Sequence, residues 1–255
     1  MLLIGGRGQD PEDQYLGSKF PGKIFDWYEG GDFVYIGADA TGPLSHLAKR
    51  VYRNFIWIGS RVLVLIDDVR CNEENTVQML LHYHGTRAEG EKDGLPCTRI
   101  RGEKTGVDII HVFPEVGVKE VTDCEDGGRA MTHTEYSTLT PAKSVLCIRV
   151  LVLRPDENDI SVSPLHGDAA EGVQITENDT GVTRRVWFNL QADGRRMHVN
   201  SNNAIDGFET DAYLFMRTLA NEQETDFLVC ASYHRAPGEA GFSDFIKKTD
   251  IYHIK

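Results

Sequence analysis

DFVYIGADATGPLSHLAKRVYRNFIWIGSRVLVLIDDV, residues Asp32–Val69, decides the fold. It holds three apolar runs: Phe33–Ile36, Val51–Ile58 and Arg61–Val69. In the last two, large apolar side chains occupy adjacent as well as alternate positions (Tyr52, Phe55, Ile56, Trp57, Ile58; then Val62 to Ile66). A strand that is apolar on both faces belongs in the middle of a layered structure. Gly59-Ser60 supplies a tight turn between the two runs, so they read as a long hairpin at the centre of a sheet. Asp67-Asp68 then reads as the solvent end of the second run. Neighbouring strand residues point to opposite faces, so the two carboxylates cannot act together on one substrate atom, and a strand-end cap is expected.

Working outward, Leu2–Ile4 is a short strand closed by Gly5-Gly6. Arg7–Gly22 is turn-rich and polar, an exposed loop. Lys23–Tyr28 and Asp32–Ala38 are strands around Gly30-Gly31. Thr76–His84 is a strand and Gly85–Thr98 a charged loop. Thr98–Arg101 and Val107–Phe113 flank a turn at Gly102–Gly106. Glu120–Met131 is a polar loop, Thr132–Thr138 alternates weakly, and Ser144–Leu153 (SVLCIRVLVL) is a strong strand. Pro155–Asp159 is a turn, and Val173–Thr176 and Val182–Leu190 are strands. Asp193-Gly194 has the dipeptide of a type I′ hairpin turn, between VWFNLQA and RRMHVN. Asp211–Leu219 and Asp226–Tyr233 form a last hairpin. No stretch keeps a 3.6-residue period over three turns. The expectation is an all-β chain with little or no helix, a large two-sheet antiparallel β-sandwich forming a single domain over residues 1–255.

The chain has 255 residues, 27 Lys and Arg against 39 Asp and Glu, and a formal net charge of −12. Such a surface disfavours nucleic acid, anionic membranes and polyanions, except at a local basic patch. No apolar run reaches the roughly 18 residues of a membrane span, and Met1 to Gly6 is too short for a signal peptide. Five cysteines, at 71, 97, 124, 147 and 230, contain no CxxC spacing. A thiolate zinc site is therefore not expected, and free, mostly buried thiols are.

Three sets of residues carry candidate chemistry. His82 and His84 form an H-x-H pair; on a strand they would share a face about 6.6 Å apart and could ligate one metal with a third group, His111 or His133, as in cupin-like sandwiches. The plainer account is a polar strand end facing solvent. Lys49, Arg50, Arg53 and Arg61 cluster, as do Arg184-Arg185 and Arg195-Arg196 across the Asp-Gly turn. Either group could hold a carboxylate or sulfate, or could simply balance acidic neighbours. Tyr15, Trp27, Tyr28 and Tyr52 lie near polar loops and suit either a sugar-binding cleft or the core. There is no GxSxG, P-loop, GxGxxG or HExxH.

Several stretches together resemble the C-terminal β-sandwich of heparinase II/III-like polysaccharide lyases. They are LLIGGRGQ (Leu2–Gln9), GADAT (Gly37–Thr41), the arginine-led strand from Arg61 to Asp68, MLLHYHG (Met79–Gly85) and TPAKSVLCIRVLVLRP, in the family's order and spanning about Leu2–Pro155. Pro43-Leu44 departs from it, where an aromatic would be expected. The resemblance implies β-elimination of uronic-acid polysaccharides by a longer enzyme, periplasmic or secreted. Its catalytic base would lie in an N-terminal (α/α) toroid ahead of this chain. It implies no catalytic residue and no cofactor in this chain, zinc being a feature of a full-length parent. It also implies an acidic poly- or oligosaccharide as partner. Arg7, Gln9 and Asp39 become cleft-edge substrate-binding candidates beside Arg50 and Arg53. The alternatives are a stand-alone carbohydrate-binding or structural sandwich, and a cupin-like metal protein using His82 and His84.

Overall fold

The computed structural model describes residues 2–9, 16–126, 129–157, 159–243 and 249–254. It is all-β and antiparallel, and it separates into two compact units, Met1–Arg154 and Pro155–Lys255. The all-β sandwich class expected from the sequence is present, and the described residues form four sheets, two in each unit.

The first unit holds twelve strands. One sheet has four: β1 (Leu2–Ile4), β6 (Val77–His82), β11 (Arg129–Thr138) and β10 (Val116–Asp126), in that order. The other has eight, in the order β2 (Lys23–Glu29), β3 (Phe33–Asp39), β4 (Ala48–Ile58), β5 (Val62–Asn75), β12 (Ala142–Leu153), β9 (Gly106–Phe113), β8 (Leu95–Arg101) and β7 (Thr86–Lys92). The expected central hairpin is β4–β5, with Ile58 opposite Val62 and the pair in the third and fourth places of eight. Gly59 takes φ +51 at its turn, a conformation open to glycine at little cost. Val62, Val64 and Ile66 bury one face of β5 completely. The other face carries Leu65, which packs with Met79 and Tyr136 of the four-stranded sheet. Near the sheet ends, Val51, Val69 and Cys147 close on Ile4 and Val77. Burial of each such side chain is worth about 1.5–3 kcal/mol.

The second unit pairs a six-stranded sheet with a four-stranded one. Trp187, Phe215 and Leu228 of the first pack on Ile205 and Phe208 of the second. The hairpin Leu214–Ala220 with Gln223–Val229 is the last one expected from sequence.

Four expectations differ from the structure. Gly85–Thr98 is not a loop: β7 and β8 form a hairpin around Asp93-Gly94, both at positive φ. Its TRAEGEK strand lies at a sheet edge, so no apolar alternation marks it. Most of Glu120–Met131 belongs to the long β10–β11 pair, and Ile160–His166 is a further strand. Asp193-Gly194 does not turn a hairpin. Asp193 is buried, its Oδ1 accepting from the amides of Arg195 (2.8 Å) and Arg196 (3.0 Å) ahead of a 3-10 turn at Met197–Val199. Asp67 and Asp68 lie within β5, which runs on to Asn75, and both are buried.

Candidate functional site

β5 places Asp67 and Asp68 on opposite faces, and each finds two arginines. On the face toward the four-stranded sheet, Arg53 of β4 forks onto Asp67, Nε to Oδ1 at 2.6 Å and Nη2 to Oδ2 at 3.0 Å. Arg149 of β12 donates from Nη1 to the same Oδ2 at 3.4 Å. On the other face Asp68 accepts from Arg50 (2.8 Å) and Arg70 (3.2 Å). Burial raises the pKa of Asp68, and the two guanidiniums pull it back down. The Asp67 carboxylate in turn raises the pKa of Arg53. The sequence reading of this pair as a solvent-edge cap is thus corrected. Carboxylates survive burial here because Arg53, Arg149 and Arg50 on neighbouring strands, and Arg70 on β5 itself, bring cations to them.

A cavity of about 480 Å³ opens above the Asp67 face, between the β1 end of one sheet and β3–β5 of the other. Leu2, Leu44, Val51 and Phe55 make its walls apolar, while Gln9 and Arg53 supply polar groups and Asp67 lies at its floor. Two of the five residues singled out from sequence as substrate contacts, Gln9 and Arg53, therefore meet. The other three are elsewhere. Arg7 is exposed on the turn that follows β1, bridged through its backbone to Ile4. Asp39 is buried, with Oδ1 accepting from the Thr41 amide at 2.8 Å. Arg50 serves Asp68 and lies over the Tyr52 ring at 5.2 Å.

Sequence reasoning missed Arg149, which is 1% exposed. The available signal was a lone charge in the apolar strand SVLCIRVLVL. Beside it, His111 stands opposite Arg149 in register. Its Nε2 lies 3.3 Å from Thr98 Oγ1, and Thr98 donates to Glu89 at 2.8 Å. Burial, with the Arg149 charge adding, pushes the His111 imidazole down to about 3. Burial likewise pushes the Cys147 thiol, opposite Asp67, up to about 11.

The histidine pair is not a same-face pair on a strand, because β6 ends at His82 and His84 lies beyond it, exposed. His82 instead faces His133 of β11, ring centroids 5.1 Å apart, with His133 Nε2 3.5 Å from Glu135. Among the described residues no group of three metal-ligating side chains occurs. The other arginine pairs sit against acids: Arg184 on Glu177 at 2.6 Å, Arg185 on Asp206 at 3.3 Å, and Arg196 on Asp193 at 3.2 Å. Of the aromatics, Tyr28 stacks on Phe33 and Tyr52 packs on Phe25, whereas Trp27 is 64% exposed. Tyr15 and the Cys124 side chain lie outside the described residues. No helix among the described residues is long and apolar enough to cross a membrane.

No protein-family model matches the chain, and no curated protein does. Solved structures do. Heparan sulfate lyase HepC from Pedobacter heparinus superposes at TM-score 0.54 with 8% identity, over 74% of this chain and 30% of its own. A heparinase III gene product gives TM-score 0.53 and 9% identity over the same shares. The fold is heparinase III-like. The chain spans about 30% of the length of these structures, so the likeness is to one portion of them.

Proposed function

We propose that this chain is the β-sandwich portion of a polysaccharide lyase related to the heparinases, acting on uronic-acid polysaccharides as part of a longer enzyme. The observation that carries the reading is the fold shared with heparinase III structures over 74% of the chain. The chemistry of the cavity agrees with a supporting role. β-Elimination from a uronate needs its carboxylate neutralised, the developing charge stabilised, and a base to take the proton. Arg53 and Gln9 can serve the first need, while among the described residues no His, Tyr or Lys lines the cavity. The one carboxylate among its described lining residues, Asp67, is already spent on two guanidiniums.

Two measurements test this. DNA upstream of Met1 should encode, in frame, a largely helical segment ending in Ala-His-Asn-Thr; an immediate stop codon overturns the proposal. The isolated chain, incubated with uronic-acid polysaccharides, should give no rise in the absorbance of unsaturated uronate ends. One observation favours a second reading, a carbohydrate-binding sandwich without an enzymatic parent. Trp27 (opposite Ile36, itself opposite Phe55) and the exposed Trp57 share one face of the eight-stranded sheet. The stop codon that defeats the first reading supports this one.

A further inference from the structure

The floor of the cavity holds two guanidiniums on one carboxylate. Arg53 and Arg149 share Asp67, the one carboxylate paired with either guanidinium among the described residues, and Arg149 also reaches the Cys147 side chain. The neighbouring groups do not restore balance. With its pKa at about 3 His111 is neutral at pH 7, and with its at about 11 so is Cys147. Glu89, the next carboxylate along the polar chain through Thr98, is taken by Arg87 at 2.7 Å. Among the described residues one positive charge is thus left over beneath apolar walls, where water is a poor substitute for a counter-ion. The geometry of Arg53 shows where that charge can be used. Asp67 occupies its Nε and Nη2 and fixes the plane of the guanidinium, which leaves Nη1 as a donor not spent on Asp67. Gln9 adds an exposed amide at the rim.

We propose that this cavity is a binding site for a single carboxylate borne on a compact ring, with Arg53 as the contact, Gln9 as a rim donor, and Arg149 as a positioning residue that supplies the excess charge through Asp67. The volume suits one ring or two, and the walls favour a flat apolar surface over a heavily charged one. A uronate sugar and an aromatic acid both carry this chemistry. The site stands on the charge and the cavity alone, whatever the chain's wider role.

Calorimetric titration of the full 255-residue chain with sodium benzoate and sodium glucuronate tests the proposal, with benzyl alcohol and glucose as uncharged counterparts. At least one acid should bind saturably, its counterpart at least about tenfold more weakly, and added salt should weaken the acid alone. Arg53→Met should lose at least about tenfold in affinity. It leaves Asp67 and Arg149 as a balanced pair, so it should fold. Arg149→Met leaves Arg53 in place and should lose several-fold, a loss that a role in packing alone would not produce. Gln9→Ala, on the exposed rim, is a variant free of folding effects and should weaken binding modestly. Failure of both acids to bind, equal binding of the uncharged molecules, or unchanged affinity in Arg53→Met and Gln9→Ala overturns the site. Binding of benzoate without glucuronate supports the site while counting against a sugar ligand. Binding of glucuronate supports both.

Discussion

Asp67 and Asp68 are adjacent, equally buried, and each held by two arginines, yet their surroundings differ. The Asp68 partners, Arg50 and Arg70, keep 14% and 30% of their side chains in water, so solvent screens that cluster. Around Asp67, Arg53 is 23% exposed but Arg149 only 2%. There the charges must satisfy one another or a ligand, since water reaches only one side. The contrast teaches that one carboxylate with two guanidiniums can be a partly solvated ion cluster on one face of a strand and a more sealed one on the other. What separates them is how far the second cation is sealed.

The sharpest way to break this comparison is to remove each carboxylate in turn. Asp67→Leu strands Arg149 without its partner and should cost about 3–5 kcal/mol in denaturant unfolding. Asp68→Leu leaves cations that can turn to water, and should cost about 1–2 kcal/mol. Equal losses would show that the two faces are energetically alike.

A pH titration of stability comes next in size. His111, on the Asp67 face, has its folded pKa lowered to about 3 against an ordinary 6.5. Below pH 6.5 the unfolded chain therefore binds a proton that the folded chain refuses. His111 should contribute stability above that pH and lose it as pH falls toward 3, at up to about 1.4 kcal/mol per unit. His111→Leu should flatten this part of the profile; an unchanged slope would assign the acid sensitivity elsewhere. Arg149→Met should change stability by about 1 kcal/mol or less, since it leaves a balanced ion pair. The smallest effect concerns the thiols. With their pKa values at about 11, Cys97 and Cys147 should resist alkylation at pH 8 in the folded protein, and label only on unfolding.

The two Asp-Gly dipeptides show how far local sequence reaches. Asp93-Gly94 makes the two-residue turn between Lys92 and Leu95, with φ +53 and +78. Asp193-Gly194 has the same local preference and the stronger flanking strand, yet its aspartate caps the following amides. A Cβ on Gly194 would meet the Tyr213 ring at 2.7 Å. The dipeptide offers a turn, and contacts distant in sequence decide whether it is taken. The site was legible to the same extent. Gln9 could be singled out by the family resemblance of Leu2–Gln9, and Arg53 as one of a basic cluster. That they share a cavity while Arg50 does not depends on strand parity across the β4–β5 register, with a bulge between Ala48 and Arg50.

The sequence by itself determined the all-β class, the central hairpin and its place in the sheet, because alternation and two-faced apolarity are local properties of a strand. Tertiary structure alone decided that Asp67 and Asp68 are buried ions and not a strand end. Asp67 draws its partners from 14 and 82 residues away, and Asp68 joins Arg50, 18 residues away, to Arg70 on its own strand. The free energy of a charge depends on what stands within a few ångströms of it, and no local pattern records that.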